Sequence, residues 1–123
     1  MKTIICDIDG TITEYMGGGH TAIVENEHQI LPGVREKFRA WECAGHRIIL
    51  ITGRRESVRE RTESELRRLG VPFDTLLMGY ADNGRILIND ISPHLGTKCH
   101  AIPVVRDGDW SKVNWGVTGL DNL

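Results

Sequence analysis

Cysteine and aromatic residues are scarce in this sequence, and long apolar runs and an excess of positive charge are missing altogether. The three cysteines among 123 residues are Cys6, Cys43 and Cys99, odd in number and without a CxxC pair. That spacing argues against a disulfide framework and fits a reducing, cytoplasmic setting. Among the longest apolar runs is Ile48 to Ile51, far below the ~20 residues a membrane-spanning helix needs. Asp7 and Asp9 interrupt the N-terminus before a signal-peptide core can form. Lys plus Arg number 15 against 17 Asp plus Glu, for a net charge of −2. A near-neutral chain lacks the bulk attraction on which non-specific nucleic-acid binding depends, although a local basic patch stays open. The expectation is a cytoplasmic protein with no membrane partner, and nucleic acid is the disfavoured partner.

What is present is ordinary for a chain with a real core. Hydrophobic residues make up 40% and glycine another 14 residues, which suits one domain over residues 1–123. Thr3 to Ile8 is an apolar run ending in carboxylates, the pattern of a buried parallel strand. Pro32 then suits the first turn of a helix in which Val34, Phe38 and Trp41 recur at helical spacing before Gly45 stops it. Arg47 to Thr52 reads as a second strand. Glu56 to Leu69 reads as a second helix, with Val58, Thr62, Glu65 or Leu66, and Leu69 on its apolar stripe. Strands at Phe73–Met78, Arg85–Asn89 and Ala101–Val105 complete the set.

This order gives an α/β fold, a Rossmann-like parallel sheet of about five strands with flanking helices. Only residues 79–84 join the third and fourth strands, fewer than a parallel crossover normally takes, so a hairpin turn at Asp82-Asn83-Gly84 competes there. Residues 107–123 form a C-terminal tail with two of the three tryptophans, expected to dock on the core, with a subunit contact as the other reading. Residues 117–123 read as its frayed end.

The sharpest local feature is Asp7-Ile8-Asp9-Gly10-Thr11. Strand periodicity points both acids to one side, at the strand end where ligands of open α/β sheets sit. Two adjacent carboxylates need compensation, and a divalent metal such as Mg²⁺ would provide it while admitting a phosphate. His94, Cys99 and His100 lack the paired element of a zinc site.

Asp7-Ile8-Asp9-Gly10-Thr11 resembles the DxDGT signature of the haloacid dehalogenase-like (HAD) phosphatases. Ile49 to Arg54 resembles their second motif, and Ile86-Leu87-Ile88-Asn89-Asp90 their acidic fourth motif. The resemblance implies a Mg²⁺-dependent phosphomonoester hydrolase acting on a small phosphorylated substrate, a sugar phosphate or a nucleotide. In its terms Asp7 is the nucleophile and Asp9 the general acid and base. Thr52 is catalytic, and Thr11, Gly53 and Arg54 bind substrate phosphate. Asp7, Asp9 through its carbonyl, and Asp90 hold the metal.

The third-motif cation is missing, with Tyr80 in its place. Lys98 is the first candidate to replace it and Arg54 the next, because Arg85 opens the fourth strand and should lie a strand's length from Asp90. No cap domain fits residues 12–31 or 55–72. An open site then acts on an exposed phosphate or borrows cover from a second copy of the chain. The Gly17-Gly18-Gly19 segment is a candidate flap, with His20 beside it. Two rival readings are a phosphatase acting on nucleic-acid ends, and a feebly active or inactive relative that binds phosphorylated ligands or a protein partner.

Overall fold

In the computed structural model, which describes residues 1–17, 19–81 and 83–120, three strands pair in parallel in the order β1-β2-β3. β1 (Thr3–Cys6) lies beside β2 (Arg47–Ile51), with Thr3 opposite Arg47 and Cys6 opposite Leu50. β3 (Thr75–Leu77) lies on the other side of β2, with Ile51 opposite Leu77. Parallel neighbours need a crossover, usually a helix. α2 (Val34–Cys43) and α3 (Arg59–Leu69) fill the two connections, after the short α1 (Gly19–Glu25).

The core follows from the two periodicities. Ile48 and Leu50 of β2 point to one face and are buried, while Ile49 and Ile51 are half-buried. α2 buries Val34, Phe38 and Trp41, and α3 buries Thr62, Glu65, Leu66 and Leu69. Gly70 closes α3 in the left-handed conformation.

The C-terminal segment completes this core. Trp110 is buried, with its ring centroid 5.8 Å from those of Phe38 and Trp41, and Trp115 packs at 5.6 Å from Trp41. The Trp110 Nε1–H donates to the Thr11 carbonyl at 2.9 Å, which ties the tail to the loop after β1. Gly33 permits this approach, since a Cβ there would lie 2.8 Å from the Ser111 nitrogen.

Two expectations change, and others are left untested. The sheet has three strands rather than about five, because residues 85–89 and 101–105 stay outside it. Ile86 and Ile88 are 91% and 89% exposed. The physical reason is length: residues 79–84 fall short of the dozen or so residues of a parallel crossover. A small antiparallel pair follows instead, β4 (Ile91–Ser92) with β5 (Gly96–Thr97). The loop expected over residues 12–31 contains α1, which buries no residue. Finally, Gly18 of the candidate flap, Asp82 of the candidate turn and residues 121–123 of the frayed end lie outside the described residues.

Candidate active site

The loop after β1 is wound tightly on one carbonyl. The backbone N–H groups of Thr11, Ile12 and Thr13 all donate to the Ile8 carbonyl, at 3.1, 2.9 and 3.2 Å. Gly10 sits at φ 83°, and a Cβ there would lie 3.2 Å from Arg106 Cγ, so the turn requires glycine. Ile8 is fully buried beneath it, while Asp7 and Asp9 face an open cleft of about 400 Å³. Thr52, Gly53 and Arg54, which follow β2, line the same cleft, together with Tyr15, Gly17, Gly19 and His20. The loops after β2 and β3 are joined by backbone bonds, Thr52 N–H to Leu77 O at 2.9 Å and Tyr80 N–H to Thr52 O at 3.0 Å.

Each aspartate has its own arginine. Asp7 Oδ1 accepts from Arg85 Nη1 at 3.0 Å, and its Oδ2 accepts from the Thr11 hydroxyl at 3.0 Å. Asp9 is held in a fork, with Arg54 Nε donating to Oδ2 at 2.9 Å and Nη2 to Oδ1 at 2.7 Å. Behind the fork, Arg54 Nη2 also donates to Glu65 Oε1 at 3.0 Å and Nη1 to the Thr62 hydroxyl at 3.2 Å. Glu65 Oε2 lies 2.7 Å from His28 Nδ1, and His28 is fully buried. Burial works against the charge on Arg54, but the hydrogen bonds and charges of Asp9 and Glu65 outweigh it and raise its pKa above the ordinary guanidinium value.

Of the residues singled out in the sequence, the fold brings Asp7, Asp9, Thr52, Gly53 and Arg54 to one cleft, with Thr11 hydrogen-bonded to Asp7. Arg54, read as a substrate contact, spends its donors on Asp9, Glu65 and Thr62. Asp90 and Lys98 are not brought to the cleft lining. They pair with each other, Lys98 Nζ to Asp90 Oδ1 at 2.6 Å, and the Asp90 side chain is 70% exposed. Among the described residues, no three His, Cys, Asp or Glu side chains gather closely enough to hold a metal ion.

The cation beside Asp7 is Arg85, which the sequence reading had placed too far away. Because residues 85–89 form no strand, Arg85 turns back, and its Nη2 also reaches the Tyr80 carbonyl at 3.5 Å. Glu65 and His28 were passed over as well. An acid on the apolar stripe of α3 was the available signal for the first. His28, in the segment after α1, offered none.

A family model of the polynucleotide kinase PNKP phosphatase domain matches residues 1–86. The chain belongs to this family. The match places it among the HAD-like phosphatase families, and the matched span contains Asp7, Asp9, Thr52, Arg54 and Arg85 and stops short of Asp90. Two solved structures of the Pnkp1/Rnl/Hen1 complex, one described as an RNA repair complex, contain chains 29% identical to this one, each with a TM-score of 0.57. The alignments cover 69% and 68% of this chain but 30% and 27% of those chains, so it matches under a third of their length. A crystal structure of a Vibrio cholerae protein shares the fold at 21% identity, with a TM-score of 0.50 over 97% of this chain and 94% of that one. No curated protein sequence matches the chain.

Proposed function

We propose that the chain hydrolyses phosphomonoesters by nucleophilic attack from Asp7, and that its substrate is the terminal phosphate of a polynucleotide. The observation that carries the first part is the pairing of Asp7 and Asp9 on one cleft, each with its arginine, inside the span that matches the family.

A phosphate brought to about 4 Å from an ionised aspartate is repelled by about 4 kcal/mol at an effective dielectric near 20. Arg85 on Asp7 offsets that repulsion. An Asp7 oxygen attacks phosphorus and the ester P–O bond breaks, leaving an aspartyl-phosphate. Asp9 enters this step carrying a proton, which it gives to the departing oxygen, leaving the carboxylate that Arg54 forks. In the second step Asp9 accepts a proton from water as the water oxygen attacks phosphorus, and inorganic phosphate leaves with Asp7 restored. Thr52 and Gly53 line the cleft, and in this reading the Thr52 hydroxyl and the Gly53 N–H receive the phosphoryl oxygens.

Magnesium enters this reading through the family resemblance alone, which assigns it to Asp7, the Asp9 carbonyl and Asp90. The geometry does not fit that set, because Arg85 and Thr11 occupy the Asp7 oxygens and Asp90 is bound to Lys98 away from the cleft lining. Lys98 accordingly serves Asp90 in this arrangement rather than Asp7.

The polynucleotide part rests on the family and on the rim. The chain has no cap in this reading, since α1 is the one helix among the described residues of 12–31 and the cleft is open. Despite a net charge of −2, cations surround the mouth: Arg55 lines it, Arg85 pairs with Asp7, and Arg106 lies 3.9 Å over the ring of Tyr15. A strand end needs that local field and open approach.

The test measures phosphate release from an end-phosphorylated oligonucleotide, a nucleoside monophosphate, a hexose phosphate and an aryl phosphate, with Mg²⁺ and with EDTA. Wild type is expected to turn over and to favour the oligonucleotide, and activity that survives EDTA agrees with the lack of fit at Asp7, Asp9 and Asp90, whereas activity lost with the metal overturns it. Asp7→Asn should lower kcat by about 10⁴-fold or more. Preference for the hexose phosphate overturns the substrate reading. Absence of turnover on every substrate overturns the enzyme reading in favour of a phosphate-binding protein.

A further inference from the structure

Glu65 occupies a place on α3 that the fold would fill more cheaply with an apolar residue. It is 7% exposed, next to fully buried Leu66 and one helical turn from buried Thr62 and Leu69. Buried ion pairs add little to stability compared with apolar packing of the same volume, so cohesion alone gives no reason for an acid here. Its contacts supply one. Thr62 and Glu65, three residues apart on one helix face, both accept from the Arg54 guanidinium, at 3.2 and 3.0 Å. On the adjoining edge of the guanidinium, Nε and the second N–H of Nη2 fork onto Asp9.

We infer that Glu65, supported by His28, is a positioning residue that sets the orientation of Arg54 and through it the Asp9 carboxylate. The inference rests on the phosphatase reading, in which Asp9 handles the proton. Glu65 does not line the cleft and so does not touch substrate. Without an acceptor at this position, the long Arg54 side chain keeps Asp9 and Thr62 as partners but loses the charged contact that helps fix the plane of its fork. His28 supplies the second half of the support. An ionised carboxylate offers only acceptors, so Nδ1 is the nitrogen that carries the proton and donates to Glu65 Oε2. Nε2 is left buried without a hydrogen-bond partner among the described residues. A histidine with one satisfied nitrogen, fully buried, is doing one thing in this arrangement: fixing the carboxylate of Glu65.

The test compares Glu65→Ala with Glu65→Gln, which keeps an acceptor oxygen for Arg54. Three quantities are read: kcat and KM on an aryl phosphate, the thermal midpoint, and the Arg54 Nε–H resonance in ¹H–¹⁵N spectra at neutral pH. Glu65→Ala is expected to lower kcat about 10- to 100-fold, with KM unchanged within about twofold. It should also broaden or abolish the Arg54 Nε–H signal. Glu65→Gln should restore most of both. A folded Glu65→Ala variant with wild-type kcat, or with the Arg54 signal intact, overturns the inference. Should Glu65→Ala fail to fold, His28→Leu against His28→Asn makes the same comparison one link further out, since the Asn amide can replace the Nδ1 donor. Equal kcat and equal Arg54 signals in that pair overturn it as well. If wild type releases no phosphate from any ester, the phosphatase reading fails by itself, and the Arg54 resonance still decides whether Glu65 fixes the guanidinium.

Discussion

Arg54 and Arg85 meet the two aspartates after β1 at similar distances, 2.7 Å to Asp9 and 3.0 Å to Asp7, yet they sit in different surroundings. The Arg54 side chain is 2% exposed, held by α3 and the loop after β1, and its charge is answered twice, by Asp9 and Glu65. The Arg85 side chain is 31% exposed, and it belongs to a segment whose apolar residues face solvent. One half of the cleft is thus part of the core, while the other is a surface ion pair across a chain separation of 78 residues. Water screens the second pair and leaves the first almost unscreened.

The largest expected effect separates the two halves through stability. Arg54→Ala leaves Glu65 buried with His28 as its remaining partner and strips both oxygens of Asp9. Removing one member of such a buried set costs about 3–5 kcal/mol. Arg85→Ala should cost about 0–1 kcal/mol, as exposed pairs do. Urea unfolding followed by tryptophan fluorescence measures both, with all three tryptophans, Trp41, Trp110 and Trp115, in the core cluster or packed against it. Equal midpoints for the two variants would abolish the distinction.

A second measurement asks whether residues 85–91 truly lie outside the core. Ile48 is 2% exposed on β2 and Ile88 is 89% exposed. Ile48→Ala should destabilise by about 2–5 kcal/mol, whereas Ile88→Ala should stay within about 0.5 kcal/mol. A large loss at Ile88 would mean that this segment packs as a strand in solution, and the accounts of Arg85 and Asp90 would change with it.

The same division marks what could be read from sequence. β1, β2, α2 and α3 were legible because each writes its burial pattern locally: the runs Thr3–Cys6 and Arg47–Ile51, the 3.6-residue recurrence of Val34, Phe38 and Trp41, and the stripe through Thr62 and Leu69. The order of carboxylates and Thr52 at strand ends made the cleft itself foreseeable. Ile86 to Ile88 carries an equally good strand pattern, but pattern cannot say which partner a strand finds, and the connection of residues 79–84 decides that. The Arg85–Asp7 and Glu65–His28 contacts span 78 and 37 residues, and such pairings are products of the assembled fold with no local signature. α1 was missed because its seven residues bury none of their side chains and so show no stripe.

The smallest effect is chemical rather than energetic, and it tests the core half directly beneath Asp7. Cys6 closes β1 next to Asp7 and is buried. Burial first, and the Asp7 charge second, push its thiol well above the usual range, with Arg85 pulling weakly the other way. The thiolate is the reactive form, so a raised value keeps Cys6 protonated and inert at neutral pH. Cys43 is exposed and Cys99 partly so. Iodoacetamide at neutral pH should therefore modify Cys43 and then Cys99, with Cys6 alkylated only after denaturation, as peptide mass mapping would show. Early modification of Cys6 in the native protein would mean that the strand end opens, and with it the rigid floor on which Asp7 and Asp9 stand. Arg85→Ala sharpens the comparison, because removing the lowering charge should slow Cys6 further and leave Cys43 unchanged. A faster Cys6 in that variant would show instead that the Arg85–Asp7 pair shields the strand end from solvent.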